Sequence, residues 1–294
     1  MRKLLKFAGW LVLAGAVLVI ILGLWFTVLF TRPKRTLPEE TPTAYNLTYE
    51  SLTLMTADNE RLAAWYIPAP DADGRVVIYV HGRSGNRGQL LPIAAELHEA
   101  GYGALLFDMR THGESTGGEL TYGINEVLDV QTAVDFLLEQ PDVNAARIAI
   151  VGHSLGASIS VMAAAQIDEL AAVVALSPYS SITEVIGDRA WQNRYIPPRP
   201  TRDLIVLFVG TLTRRDYAQS CPKCVLADIA PRPVLLVHGT DDVEVPYWSA
   251  ERNMAAADDT VTFWEVDGLD HATDVWIVEH RSVELAQFLN GVME

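Results

Sequence analysis

The chain has 294 residues, half of them hydrophobic and a fifth charged, with only two cysteines. That composition belongs to a large packed domain and excludes disordered, collagen-like and disulfide-framework chains. The net charge is −15, and six of the 22 basic residues (Arg2, Lys3, Lys6, Arg32, Lys34, Arg35) flank one N-terminal apolar stretch, leaving 16 basic against 37 acidic residues beyond it; a body so acidic repels phosphate backbones and excludes nucleic acid as the expected partner.

From Phe7 to Thr31 the chain carries no charge. A helix of this length, at about 1.5 Å per residue, exceeds a hydrocarbon core of roughly 30 Å, so the stretch is expected to be a single-pass membrane anchor over 7–31. A cleaved signal peptide would need a shorter apolar run followed by small residues at a cleavage site. This run instead ends in Trp25, Phe26 and Phe30. Lys and Arg are balanced across the span, and the short basic N-terminal tail points to a cytoplasmic N-terminus and an extracytoplasmic body. Residues 32–44 hold three prolines without periodicity and read as a stiff tether, with the folded body at 45–294. Segments 45–55 and 61–67 flank the turn Asp58-Asn59-Glu60 and predict a hairpin.

Beyond Val76 the pattern changes to short apolar runs at 76–80, 104–108, 147–152, 172–177, 233–239 and 261–266. Helix-like segments near 89–100, 122–139, 155–166, 247–257 and 275–290 separate them. Near-continuous apolar strands alternating with helices predict an α/β fold, with a mostly parallel sheet covered by helices on both faces.

Two stretches match Gly-x-Ser-x-Gly, around Ser115 and around Ser154. The chemistry requires a sharp strand-to-helix turn that lifts the serine out of the sheet. Ser154 has it, between the apolar run RIAIVG and the small-residue stretch LGASISVMAAAQ. Ser115 lacks both neighbours and reads as a surface loop serine. A serine needs a base, and the base an orienting acid. Downstream, Asp241 and Asp242 follow one apolar run and His271 follows the next, which brings both groups to the sheet edge of Ser154. His280, inside a helical stretch, is the rival base; His153 and His238 read as structural.

These motifs resemble the α/β-hydrolase superfamily of serine hydrolases, especially its small-lid esterase and acylaminoacyl-peptidase-like branch, from about residue 45 to 290. The resemblance implies an α/β-hydrolase fold, with His81-Gly82 as the turn after a strand and the Arg83 and Leu155 amides as the oxyanion hole. It matches His238–Pro246 to the family's His-Gly-x-x-Asp-x-x-Val-Pro element, which selects Asp242 over Asp241. The segment Phe107–Ser115 resembles the family's D-x-R-G-H-G-x-S, departing at Thr111 where glycine is usual. The implied chemistry is acyl transfer through Ser154, His271 and Asp242, with neither metal nor organic cofactor.

Residues 178–230 separate two strands widely and predict a small helical lid carrying Trp191, Tyr195 and Phe208. Cys221 and Cys224 are expected as a short-range disulfide in an extracytoplasmic domain, since zinc would need two further ligands. The expected partners are a small acyl substrate, lipid-like ones included, and the membrane itself. The leading function is cleavage of carboxylic esters or thioesters. A peptidase or amidase of the same fold and a non-catalytic binding protein are the alternatives.

Overall fold

The structure, a computed structural model, describes residues 2–70, 73–194 and 198–293. Helix α1 (Arg2–Thr31) leads to β1 (Glu50–Met55) and β2 (Arg61–Ile67), followed by β3 (Val76–Val80), α2 (Leu91–Glu99), β4 (Gly103–Phe107), α3 (Val127–Leu138) and β5 (Ile148–His153). Then come α4 (Leu155–Ala164), β6 (Leu170–Leu176), α5 (Ile182–Arg194), α6 (Pro198–Thr213), the single turn α7 (Pro222–Val225), β7 (Val234–Gly239), α8 (Trp248–Ala255), β8 (Val261–Val266), α9 (Thr273–His280) and α10 (Ser282–Met293). The eight strands form one sheet in the order β1-β2-β4-β3-β5-β6-β7-β8. The β1–β2 and β2–β4 pairs are antiparallel and all others are parallel. This is the expected α/β-hydrolase architecture.

The central strands are apolar on both faces because both faces are covered. β3, β4, β5 and β7 are buried at every position. Fully burying each Val, Ile or Leu contributes about 1.5–3 kcal/mol, so this layer sets the register of everything attached to it. One apolar cluster packs α3, α4 and the last turns of α1 on one face; the other packs α2, α9 and α10 on the opposite face. Helix α4 is buried along its whole length, and its small residues let it lie directly beneath β5 and β6.

Three local expectations are revised. Residues 42–45 form a 3-10 turn, so β1 begins only at Glu50. The helix expected over 275–290 is two helices broken at Arg281, whose φ of −141° is not helical. The segment 32–44 is no free spacer. Arg35 donates to the carbonyls of His112, Gly113, Ser115 and Gly117, and Thr36 to Ser84 O at 2.9 Å. An extended, proline-rich chain has no internal hydrogen bonds, so its polar groups seek partners on the body, and those partners lie far away in sequence.

Helix α1 is long and apolar enough over Gly9–Thr31 to cross a bilayer. Its C-terminal end is built into the body. Phe30 and Thr31 are buried, Phe30 stacks on Tyr122 at 4.3 Å, and Tyr122 Oη donates to Phe30 O at 2.9 Å. Leu120 N donates to Thr31 O at 2.7 Å. Two carbonyls left free at the helix end therefore find partners on the body.

Candidate active site

The strand-to-helix turn is where the sequence placed it. β5 ends at His153 and α4 begins at Leu155. Between them Ser154 takes φ 55°, ψ −116°, a conformation L-residues rarely adopt and which the surroundings must enforce. Its amide donates to Leu176 O at 2.7 Å, tying the turn to β6. Gly152 and Gly156 allow the close approach: a Cβ on Gly152 would lie 2.4 Å from Gly156 O, and one on Gly156 would lie 2.0 Å from Val80 O. Any larger residue at either position would displace the serine.

Asp242 lies in the loop after β7 and is 1 % exposed. One oxygen accepts from the Glu244 and Val245 amides at 2.9 and 2.8 Å, the other from His271 Nδ1 at 2.6 Å. Burial alone would raise its carboxyl; the His271 bond, then its charge, then the Val245 amide hold it below the ordinary aspartate value. With Nδ1 bound to the carboxylate, Nε2 is the ring nitrogen left to take a proton. Asp241 is exposed and His280 sits on the outer face of α9, so neither reaches this arrangement.

Sequence reasoning missed what holds the His271 loop. His153, beside the serine, has its ring 4.9 Å from that of His271, and its Nε2 donates to His271 O at 2.9 Å. Gln89 donates to His153 Nδ1 at 2.8 Å and to Asp274 Oδ2 at 2.9 Å, while its carbonyl oxygen accepts from Gly82 N. One glutamine thus links the loop after β3 to the end of β5 and the first turn of α9. Burial lowers the His153 value, which fits a neutral ring with one donor and one acceptor nitrogen. The only local signal was a polar residue opening a helix.

Across the serine, the loop after β3 is fixed by His81. Its Nε2 accepts from Met109 N at 3.0 Å and its Nδ1 donates to Gly82 O at 2.8 Å. Burial pushes this ring down to about 4, so it stays neutral. The next residue, Arg83, and Leu155 at the start of α4 both line one cavity of about 640 Å³ with Ser154 and His271. Among the described turns and loops, neither the Arg83 nor the Leu155 amide has a carbonyl partner. Ser154, His271 and Asp242 are thus brought to one sheet edge, with two amides beside the serine.

Ser115 is corrected. It is buried at 2 %; its hydroxyl donates to Asp108 O at 2.6 Å and accepts from Ala63 N at 2.9 Å. It pins a loop to β2, between β1 and β4, rather than lying on the surface. Thr111, where the family pattern has glycine, takes φ 70°, the left-handed conformation that glycine adopts at lowest cost.

The lid is α5, α6 and the turns after them. Ile182, Val185 and Ile186 of α5 and Ile205 of α6 face the cavity. Of the aromatic residues expected there, Trp191 is exposed and Phe208 packs against Gly23 of α1; Tyr195 lies outside the described residues. Cys221 and Cys224 are bonded to each other at the start of α7.

Against known proteins, a profile of the Alpha/beta hydrolase family matches residues 77–288. Uncharacterized protein Rv2307c of Mycobacterium tuberculosis is 33 % identical over 217 residues, covering 74 % of this chain and 70 % of that protein. Among solved structures, the Pyrococcus furiosus esterase Pf2001 superposes with a TM-score of 0.70 at 25 % identity, covering 90 % of this chain and all of the esterase. A puromycin-hydrolyzing peptidase of Mycobacterium tuberculosis superposes at 0.65 with 21 % identity, covering 87 % of this chain and 42 % of the peptidase. The family match spans the strand-to-helix turn, the buried acid and the histidine loop together, and by it this chain is a member of the alpha/beta hydrolase family.

Proposed function

We propose that this protein is a membrane-anchored serine hydrolase that cleaves carboxylic esters or thioesters, with Ser154 as nucleophile, His271 as general base and Asp242 as its orienting acid. The observation that carries the reading is the 2.6 Å bond from His271 Nδ1 to a carboxylate whose other oxygen is held by two backbone amides, beside a cavity that also exposes Ser154. Ser154 Oγ attacks the acyl carbon and its proton passes to His271 Nε2; the Arg83 and Leu155 amides receive the charge developing on the carbonyl oxygen. The imidazolium returns the proton to the departing alkoxide or thiolate, leaving an acyl-serine. Water, deprotonated by the same nitrogen, then releases the acid and restores the serine.

The mainly apolar cavity wall favours an ester with a hydrocarbon acyl group over a peptide. The buried end of α1 supports a retained anchor: cleavage after the apolar run would strip Phe26, Leu29 and Phe30 from the wall of the site. A fluorophosphonate probe should label the wild-type chain and not Ser154→Ala, whose ester turnover should fall by up to about a millionfold. Ser115→Ala should keep the labelling and instead lower the melting temperature, because it strands Ala63 N (~1–3 kcal/mol). Labelling that survives Ser154→Ala would refute the assignment.

A further inference from the structure

The cavity at Ser154 does not end at the lid. Phe26 of α1 and Ile205 of α6 line both it and a second cavity of about 300 Å³, which lies between α1 and α6 and has only apolar residues on its walls. The two helices cross where Phe208 packs on Gly23; a Cβ there would come within 2.4 Å of the ring. The lining on α1 climbs from Phe30 through Phe26 and Leu22 to Val19. The eleven steps from Val19 to Phe30 rise about 16 Å, roughly half the thickness of a hydrocarbon core, which is one leaflet. Leu204 and Leu207 of α6 stay 57 and 63 % exposed beside this stretch of α1, forming an apolar outer face continuous with it.

We propose that the substrate is a lipid ester drawn from the bilayer, its acyl chain lying along α1 in the groove between α1 and α6 and its carbonyl at Ser154. The inference rests on the nucleophile assignment above and adds the substrate class and its route. A chain in this groove runs parallel to the anchor helix, the direction it already has in the leaflet, so the ester needs to move only sideways and slightly outward. The chain never has to be hydrated on its way to the serine, which removes a cost that grows with every methylene. Arg83 strengthens the connection: its guanidinium donates to Leu29 O, at the C-terminal end of the anchor helix where a cation is favoured. The loop offering the oxyanion amide is thereby held to the helix that guides the chain.

The test uses the full chain reconstituted in phosphatidylcholine vesicles and p-nitrophenyl esters from acetyl to palmitoyl. Ile205→Trp narrows the junction of the cavities and Leu22→Trp fills the outer one; Leu212→Trp, on α6 outside both, is the control. Expected is a graded loss: Ile205→Trp lowers the long- to short-chain ratio of kcat/KM by about tenfold or more from medium lengths upward, and Leu22→Trp does so only for the longest chains. Palmitoyl ester in the protein's own vesicles should be cleaved much faster than the same amount in separate, protein-free vesicles. A ratio unchanged in both variants, or long- and short-chain losses in equal proportion with a lowered melting temperature, would overturn the groove. Equal rates from the two vesicle populations would overturn the bilayer route. Fluorophosphonate labelling of the wild-type chain reads the nucleophile separately, so a labelled protein with no chain-length effect refutes this inference alone.

Discussion

The sheet edge that carries Ser154, Asp242 and His271 and the half made by α1 and the lid are held by different kinds of contact. At the edge, each group is held by a hydrogen bond that involves a main-chain group: Ser154 N donates to Leu176 O on β6, Asp242 accepts from two amides of its own loop, and His271 O accepts from the ring beside the serine. In the lid, α5 is attached by side chains, through Glu184–Lys223, Asp188–Arg252 and Arg189–Glu244, and α6 lies against α1 through apolar residues. Backbone bonds within buried strands hold atoms to fractions of an ångström. Partly exposed ion pairs and apolar contacts tolerate displacement at small cost. On the proposed reading the chemistry sits on the first kind of support, and substrate accommodation on the second.

The comparison breaks most sharply at the acid. Asp242→Asn should cut ester turnover about ten-thousandfold, while Asp241→Asn, on an exposed side chain, should stay within a few-fold; equal effects would mean the histidine is not held as described. Phe30→Ala removes a buried ring stacked on Tyr122 and edge-on to Tyr217 and should destabilise the protein by about 3 kcal/mol, read as a lower melting temperature in detergent. An unshifted melt would show that the anchor contributes nothing to the body.

Acid should act on the catalytic side. Burial holds His81 at about 4, and burial together with the neighbouring His81 holds His112 at about 3, against an unfolded value of about 6.5. The unfolded chain therefore binds these protons first, so the stabilisation is complete above about pH 6.5 and is lost progressively toward pH 4. A melting temperature that stays flat from pH 7 to 5 would contradict neutral, buried rings. The smallest effect belongs to the lid rim. Arg189→Ala, breaking a pair whose side chains are 46 and 54 % exposed, should cost under about 1 kcal/mol, and high salt should reproduce most of it in the wild-type protein.

The same division decides what the sequence reveals. Strands buried on both faces must be apolar without interruption, so β3 to β7 are legible as short runs, and a serine between such a run and a small-residue helix declares its own turn. Asp242 is distinguishable from Asp241 only through the family pattern, since both adjoin the same strand. Ser115 is illegible because the groups that bind it, Ala63 N on β2 and Asp108 O just past β4, lie outside its own pentapeptide. Arg35 looks like one more charge after a membrane segment; four carbonyls between His112 and Gly117 give it another role. The lid is predictable as a long connection, yet nothing in its composition says that Phe208 will rest on a glycine of the first helix. Gln89, in the turn before α2, likewise carries no local mark of the distant residues it joins.

The contacts at the end of α1 also bear on how the molecule is made. Phe30 O is bound by Tyr122, 92 residues further on, and the ring of Phe30 meets Tyr217 further still. On the anchored reading the first helix is seated in the bilayer while most of its partners are still unsynthesised. Residues 32–44 must stay extended until the loop 112–117 arrives to close on Arg35. The ribosome therefore delivers the anchor first, but its tertiary contacts form last, when the nearly finished sheet docks on a helix end already fixed in place. A chain stalled before Tyr217 leaves one edge of the Phe30 ring without its partner.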